Sequence, residues 1–338
     1  MNYDAVLILS FGGPNGMEDV IPFLENVLRG KRVPRERMLE VAHHYELFGG
    51  KSPINEQNET LRSLLLERMQ AHDPSLPVYL GNRNWHPYLA DTLRQMRADG
   101  VRKALVFVTS AYSCYSGCRQ YREDIQRARE EVGDGAPELD KIRVFFNHPL
   151  FIAVNQEHVR SALAQFPESA RDSVQIVYTA HSIPEAMAQQ CAYEAQLKEA
   201  ARMVSEGVGH AHWQLAYQSR SGPPHQPWLE PDIGDVIEQL AEKGERHLVI
   251  APIGFTSDHM EVLFDLDTEA LELCEEKKIT MVRAASAGTH PLFIEMVHDL
   301  IRERAVPGVT DRVAIGSIPA APDRCPEKCC LPRAIAIP

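Results

Sequence analysis

Short apolar runs rich in Val, Ile, Leu and aromatic residues alternate along the chain with longer segments whose apolar positions recur at helical spacing. The pattern predicts strands at Ala5–Phe11, Val78–Gly81, Ala104–Ser110, Ile142–Asn147, Val174–Thr179, Gln214–Gln218, Leu248–Ile253 and Thr280–Ala284. Between them it predicts amphipathic helices, among them Asn55–Ala71, Pro87–Asp99, Pro184–Glu206 and Ile233–Lys243. Near-continuous apolar strands separated by helices imply parallel sheets covered on both faces. Four strands precede residue 150 and four follow it. The expected fold is therefore α/β: two doubly wound, Rossmann-like domains, each a four-stranded parallel sheet flanked by helices, with a cleft between them. The expected boundaries are 1–150 and 151–305, followed by a Pro-rich tail, 306–338, that wraps rather than packs as a helix.

Ligands of such sheets bind beyond the carboxyl ends of the strands. Those positions are Ser10–Pro14, Asn82–Arg83, Ser110–Cys118, His181, Ser219–Pro224 and Phe255–Glu261. The last leads into an unusual stretch, APIGFTSDHMEVLFDLDTE at Ala251–Glu269. Glu261, Asp265 and Glu269 fall four residues apart and so share one face of a helix, with His259 near its first turn. Like charges at this spacing repel by a few tenths of a kcal/mol per pair. The face is either simply solvated or carries metal ions or protons into a pocket.

Composition narrows the setting. The 338 residues suffice for two domains, and 44% hydrophobic with 24% charged residues is ordinary for a globular protein. A formal net charge of −12, with neither half strongly basic, argues against a nucleic-acid partner. No apolar run approaches the roughly 20 residues of a membrane span. The opening MNYDAVLILSFGG has an early Asp4 and no basic region, so it reads as a first strand and not a secretory signal. A cytoplasmic protein is expected, where seven cysteines need an explanation other than disulfides.

His181, at a strand's carboxyl end before Ser182-Ile183-Pro184, points toward the cleft and titrates in the range that suits proton transfer; alternatively it bonds its own turn to cap the next helix. The loop QSRSGPPHQPWLEP holds Trp228, on which a flat ligand could stack, or which simply anchors the loop. Arg29, Lys31, Arg32, Arg35 and Arg37 surround a single acid, Glu36, a local reversal of sign that suits an anionic small molecule or a solvated helix start. FGGP at Phe11–Pro14 allows close backbone approach but is no dinucleotide fingerprint, so a nicotinamide cofactor is not expected. Cys325, Cys329 and Cys330 crowd the tail, and Cys114 or Cys118 could complete a metal site. Spacing alone leaves both an iron–sulfur cluster and zinc open.

The stretches LILSFGGP, HYELFGGKSPIN, GNRNWHP, TSAYSCYSGCRQY, TAHSIP, QSRSGPP with PWLEP, and PIGFTSDHMEVLFDLD together resemble the ferrochelatases over essentially the whole chain, most closely the actinobacterial, coproporphyrin-using branch. The resemblance implies insertion of Fe2+ into a porphyrin held in the cleft. It makes His181 the active-site His, Glu261 its partner acid across the macrocycle, and Asp265 and Glu269 an acidic trail leading outward, with His259 a plausible helper on the iron path. Phe11, Arg29, Tyr45, Ser52, Arg83, Tyr112 and Trp228 fall at porphyrin-binding or cleft positions. Cys118 with Cys325, Cys329 and Cys330 resembles the four-thiolate 2Fe–2S site of cluster-bearing members, with Cys114 as the alternate upstream ligand; such a cluster would tie the tail to the first domain. Phe11 stands where many Firmicutes enzymes have a Tyr that approaches the metal, and an extended apolar lip for membrane docking is missing.

The resulting expectation is a lyase-class metal chelatase of haem biosynthesis, monomeric or dimeric, in transient contact at most with other haem-pathway enzymes. Five basic residues near the start favour coproporphyrin III, with four propionates, over protoporphyrin IX, with two. The competing readings are a non-catalytic porphyrin or metal carrier with an iron–sulfur sensor, and a chelatase of another tetrapyrrole such as sirohydrochlorin.

Overall fold

The computed structural model describes residues 3–30, 33–72, 74–223 and 225–332. The first half runs β1 (Ala5–Ser10), α1 (Met17–Val27), α2 (Arg35–Glu46), α3 (Ile54–Ala71), β2 (Val78–Asn82), α4 (Leu89–Ala98), β3 (Lys103–Val108), α5 (Gln120–Val132) and β4 (Glu138–Lys141). A π-helical turn, Tyr115–Arg119, leads into α5. The second half opens with α6 (Pro149–Leu163), α7 (Glu168–Arg171), β5 (Gln175–His181), α8 (Glu185–Ala188), α9 (Tyr193–Val208) and β6 (Trp213–Gln218). It continues through α10 (Ile233–Glu242), β7 (His247–Ala251), α11 (Met260–Phe264), α12 (Leu271–Glu276), β8 (Thr280–Arg283) and α13 (Pro291–Ala305). A second π-helical turn, Asp265–Ala270, joins α11 to α12.

Each half builds one four-stranded parallel sheet, in the orders β2-β1-β3-β4 and β6-β5-β7-β8. The central strands are buried on both faces, which is why they read as unbroken apolar runs. Alternation along β1 divides the core. Val6 and Ile8 face a large cluster shared by both sheets, whereas Ala5, Leu7 and Leu9 pack on Leu93, Met96 and Ile125 of α4 and α5. In β5 and β7, Val177, Leu248 and Ile250 likewise pack on Val236 and Ile237 of α10. A satellite cluster of Val20, Phe23, Met38, Ala42 and Trp85 seats α1 and α2 beside the first sheet.

Two expected elements differ. β4 is Glu138–Lys141, not Ile142–Asn147. As an edge strand it pairs on one side only and stays partly exposed, so its sequence is polar. The apolar Ile142–Phe146 that follows is buried because the chain there passes into the shared core, with Phe145 stacked on Phe107 at 5.3 Å. The segment Pro184–Glu206 is two helices, α8 and α9, separated at Gln189–Ala192.

The halves interlock. α6 packs on α9 and β7, and α13 packs on α6 while reaching across to α3 and β3. Arg143, in the crossover, donates Nε and Nη2 to the Glu303 carboxylate of α13 at 2.8 Å each, and Nη2 also to the Val313 carbonyl of the tail at 2.8 Å. Both side chains are buried, so the two-pronged geometry is what makes their charges tolerable. Removing one partner would leave the other charged and buried, a loss of about 3–5 kcal/mol. The tail then touches both halves: Asn147 donates to the Ile318 carbonyl at 2.6 Å, and Ser317 Oγ donates to the Glu199 carboxylate of α9 at 2.9 Å. Among the described residues no helix is long and apolar enough to cross a membrane.

Candidate functional site

His181 is the last residue of β5 and half-buried at the sheet's carboxyl end. Its Nδ1 lies in hydrogen-bond contact with the Ser182 carbonyl, which can only accept. Nδ1 therefore carries the hydrogen, and the Nε2 lone pair points out into the cleft. Tyr193 Oη donates to the His181 carbonyl at 3.1 Å and fixes the strand end. Gly254, at the end of the adjacent β7 connection, approaches so closely that a Cβ there would lie 2.5 Å from Ala180 Cβ. That packing explains the Gly in the PIGF stretch: any side chain would displace the strand end that carries His181.

Facing Nε2, Glu261 Oε2 stands 3.7 Å away at the start of α11. A planar macrocycle in van der Waals contact with two groups, one on each face, needs them about 7 Å apart. His181 Nε2 and Glu261 Oε2 stand closer together than that. His259 caps the helix: its Nδ1 accepts the Glu261 N–H at 3.2 Å, leaving Nε2 for other contacts. Burial first, then Glu261 and the nearby His181, act on His259, with a net fall below the usual imidazole range.

The acids then follow the chain through the π-helical turn. Asp265 is half-buried at its start, where Ser219 Oγ donates to Oδ2 and Gln218 Nε2 donates to the same oxygen at 3.2 Å. Burial pushes the Asp265 carboxyl up to about 7, assisted by Glu261 and Glu269, against the two hydrogen bonds. Glu269, farther along, is raised by burial and by Asp232 and Glu272, and lowered by Arg37 of α2. Both Glu261 and Glu269 act on Asp265, so the three acids lie near one another. A π turn is wider than an α turn and recurs at functional sites. Across the first-half wall, His44 of α2 stacks on Phe264 with ring centroids 3.7 Å apart. Tyr45 is raised by burial and by the Glu261 carboxylate.

The ferrochelatase family profile matches residues 3–305. This chain belongs to the ferrochelatase family. It is 57% identical over 330 residues to a ferrochelatase of Rhodopirellula baltica, covering 97% of this chain and 93% of the relative. It is 49% identical over 354 residues to the coproporphyrin III ferrochelatase of Streptomyces coelicolor, covering 98% and 94%. With that of Mycolicibacterium smegmatis it shares 49% over 306 residues, 90% of each chain. Among solved structures, SirB from Bacillus subtilis with Fe3+ superposes with a TM-score of 0.54 over 89% of this chain and 95% of that one, at 12% identity. That likeness is one of fold.

The other positions that the ferrochelatase resemblance singles out divide by environment. Phe11, just past β1, is 37% exposed and edge-on to Phe23 at 6.2 Å, so its ring is free to meet a ligand. Arg29 is exposed and held by Asn26 Oδ1 at 2.5 Å. Lys31 and Arg32 lie outside the described residues. Ser52 is buried, its N–H donating to the Pro14 carbonyl at 2.9 Å. Arg83 is ion-paired with Asp124, and its guanidinium lies 4.5 Å from the Tyr121 ring centroid and 5.7 Å from that of Phe11. Tyr112 is buried and donates Oη to the Ile253 carbonyl at 3.0 Å, joining the two halves behind the cleft. Trp228 is buried against Gly222, with Nε1 unpartnered among protein atoms. Sequence reasoning placed Ser219 at the cleft but did not pair it or Gln218 with Asp265, because that contact spans 46 residues.

The thiols also gather. Cys118, buried in the first π turn, contacts Cys325, which together with Lys141 draws its thiol down to about 5. Cys329 and Cys330 have their sulfurs 3.4 Å apart. Among the described residues no three thiols fall within 4.8 Å of one another; they come as pairs. Cys114 caps the π turn by accepting the Gly117 N–H at 3.1 Å, and burial pushes its thiol up to about 12.

Proposed function

We propose that this ferrochelatase inserts Fe2+ into coproporphyrin III, using His181 and Glu261 on one face of the macrocycle to remove the two pyrrole protons. The observation that carries the reading is the pairing of His181 Nε2 with Glu261 at 3.7 Å, in line with an Asp265 carboxyl poised at about 7. The substrate class is supported by the Streptomyces and Mycolicibacterium relatives, which are named coproporphyrin III ferrochelatases. The exposed Phe11 ring offers the opposite wall a flat, apolar contact.

Each turnover replaces two N–H bonds of the porphyrin by bonds to Fe2+ and releases two protons. His181 Nε2 takes a proton directly; the Nδ1–H bond to the Ser182 carbonyl holds the ring in the accepting tautomer and steadies the imidazolium that results. Glu261 takes the second from the same side. Asp265 relays protons outward, its carboxylate form steadied by Ser219 and Gln218, and Glu269 delivers them toward solvent. Accepting from one face also leaves the other free for the metal to approach. Arg29 and its basic neighbours meet propionates, since guanidinium forks suit carboxylates.

In the same reading, residues 1–150 and 151–305 are the two domains, and the tail is an extended strap on the first. Cys118, Cys325, Cys329 and Cys330 would hold a 2Fe–2S cluster. Two iron atoms each need two thiolates, and paired sulfurs suit that demand better than a single tetrahedral zinc, which needs all four around one point. Ligated by these four residues, such a group would supply a cross-link between the tail and the π turn before α5. Arg119 already draws the tail in, donating to the Cys329 carbonyl at 3.1 Å.

Side-by-side kinetics with coproporphyrin III and protoporphyrin IX under anaerobic Fe2+ test the substrate, with higher kcat/KM expected for coproporphyrin III. His181→Ala should lower kcat by about 10²–10⁴ while porphyrin binding, followed by absorbance, persists. Full turnover by that variant would remove His181 from the chemistry.

A further inference from the structure

Outside the cleft, one group of side chains on α13 is left without an assignment. Glu295, His298 and Asp299 sit at i, i+3 and i+4, so they share one helical face. One donor atom from each lies within 4.8 Å of the others. His298 is 1% exposed, yet neither of its ring nitrogens has a partner among protein atoms. A buried polar group with nothing to bond is expensive, commonly about 1–3 kcal/mol, so an imidazole directed at two carboxylates needs a reason.

We propose that Glu295, His298 and Asp299 bind a divalent first-row transition-metal cation at the junction of α13 with α3, separate from the iron path of the cleft. One imidazole nitrogen with carboxylate oxygens suits Zn2+, Fe2+, Co2+ or Mn2+ better than the all-oxygen shells of Ca2+ or Mg2+. Bonds of about 2.0–2.2 Å to such an ion bring the three donors closer together than they stand now, a side-chain adjustment without helix movement.

The surroundings define both competition and purpose. Arg68 of α3 donates Nη2 to Glu295 Oε1 at 2.6 Å, and Arg302 also acts on Asp299, so a cation must compete with two guanidiniums. His72, which follows the last residue of α3, stands edge-on to His298 with ring centroids 6.1 Å apart and can supply a fourth donor after rotation. An ion here would tie the end of a first-half helix to the last helix of the second half. It would thereby stabilise the interlock of the two halves by binding only the folded form.

Crystals of the full chain soaked in Co2+ and measured at the cobalt edge test the site directly. An anomalous peak among the three side chains is expected in the wild type. Asp299→Asn, a change of nearly equal shape at a partly exposed residue, should abolish that peak and leave peaks at the cleft or the thiols in place. In solution, saturating Co2+ should raise the Tm of the wild type more than that of Asp299→Asn or Glu295→Gln, with chelatase kcat unchanged in both. A site holding only ordered water at saturating Co2+, or an equal Tm rise in the variants, overturns the proposal.

Discussion

After β3, the chain caps a π-helical turn with Cys114, whose Sγ accepts from the Gly117 N–H; after β7, it caps α11 with His259, whose Nδ1 accepts from the Glu261 N–H, and then enters a π-helical turn of its own. The two sheets have matching strand orders, so these turns occupy equivalent slots beyond the third strand of each half. The residues they present differ in kind. The first offers Cys118, a thiol in contact with Cys325 of the tail. The second offers Asp265, a carboxyl lifted into the range of neutral pH. In the function proposed above, one local geometry serves attachment in one half and proton handling in the other. What decides between them is what lies opposite: Cys325 and Lys141 in the first, Ser219, Gln218 and Glu261 in the second.

Deleting one residue from each turn is the strongest way to break the comparison. Removing Thr268 should convert the second turn to α-helix, rotate Glu269 out of line with Asp265, and lower kcat by about 10²-fold or more, read by anaerobic chelatase assay. Removing Ser116 should instead misplace Cys118, and its effect should appear in bound iron and acid-labile sulfide. A more conservative cut, Cys329→Ser, should lose the cluster's EPR signal on reduction and lower the Tm, while protein that remains folded keeps most of its kcat. Iron and sulfide absent from the wild type, with zinc in their place, would contradict the 2Fe–2S assignment.

A smaller effect distinguishes Asp265 thermodynamically. Its folded pKa of about 7 stands above the ordinary 3.8, so between those values the folded state holds a proton that the unfolded state has lost. Stability therefore falls as pH rises through that window, by about 1.4 kcal/mol per unit at most. Asp265→Asn, which does not titrate, should melt higher than wild type at pH 8 and converge with it toward pH 4. Calorimetry at the two pH values reads the difference.

Much of this was legible in the sequence, for identifiable reasons. β1, β3, β5 and β7 are buried on both sides, and strands such as AVLILS announce themselves. The candidate site positions follow from strand ends, as at His181. β4, with the sequence ELDK, was hidden because an edge strand needs no apolar run, while Ile142–Phe146 imitated a strand by being buried for another reason. The π turn was invisible because acids at i and i+4 look alike on α- and π-helices. Pairings set by tertiary packing were equally hidden: Ser219 with Asp265, His44 on Phe264, and the 3.7 Å approach of His181 to Glu261.

The proton role of that face is tested most directly by the pH dependence of kcat for coproporphyrin III in wild type and Asp265→Asn. If Asp265 must be a carboxylate to receive the pyrrole protons, wild-type kcat rises through an inflection near pH 7, and the variant shows a lower kcat without that inflection. The same inflection at undiminished kcat in Asp265→Asn would contradict the relay.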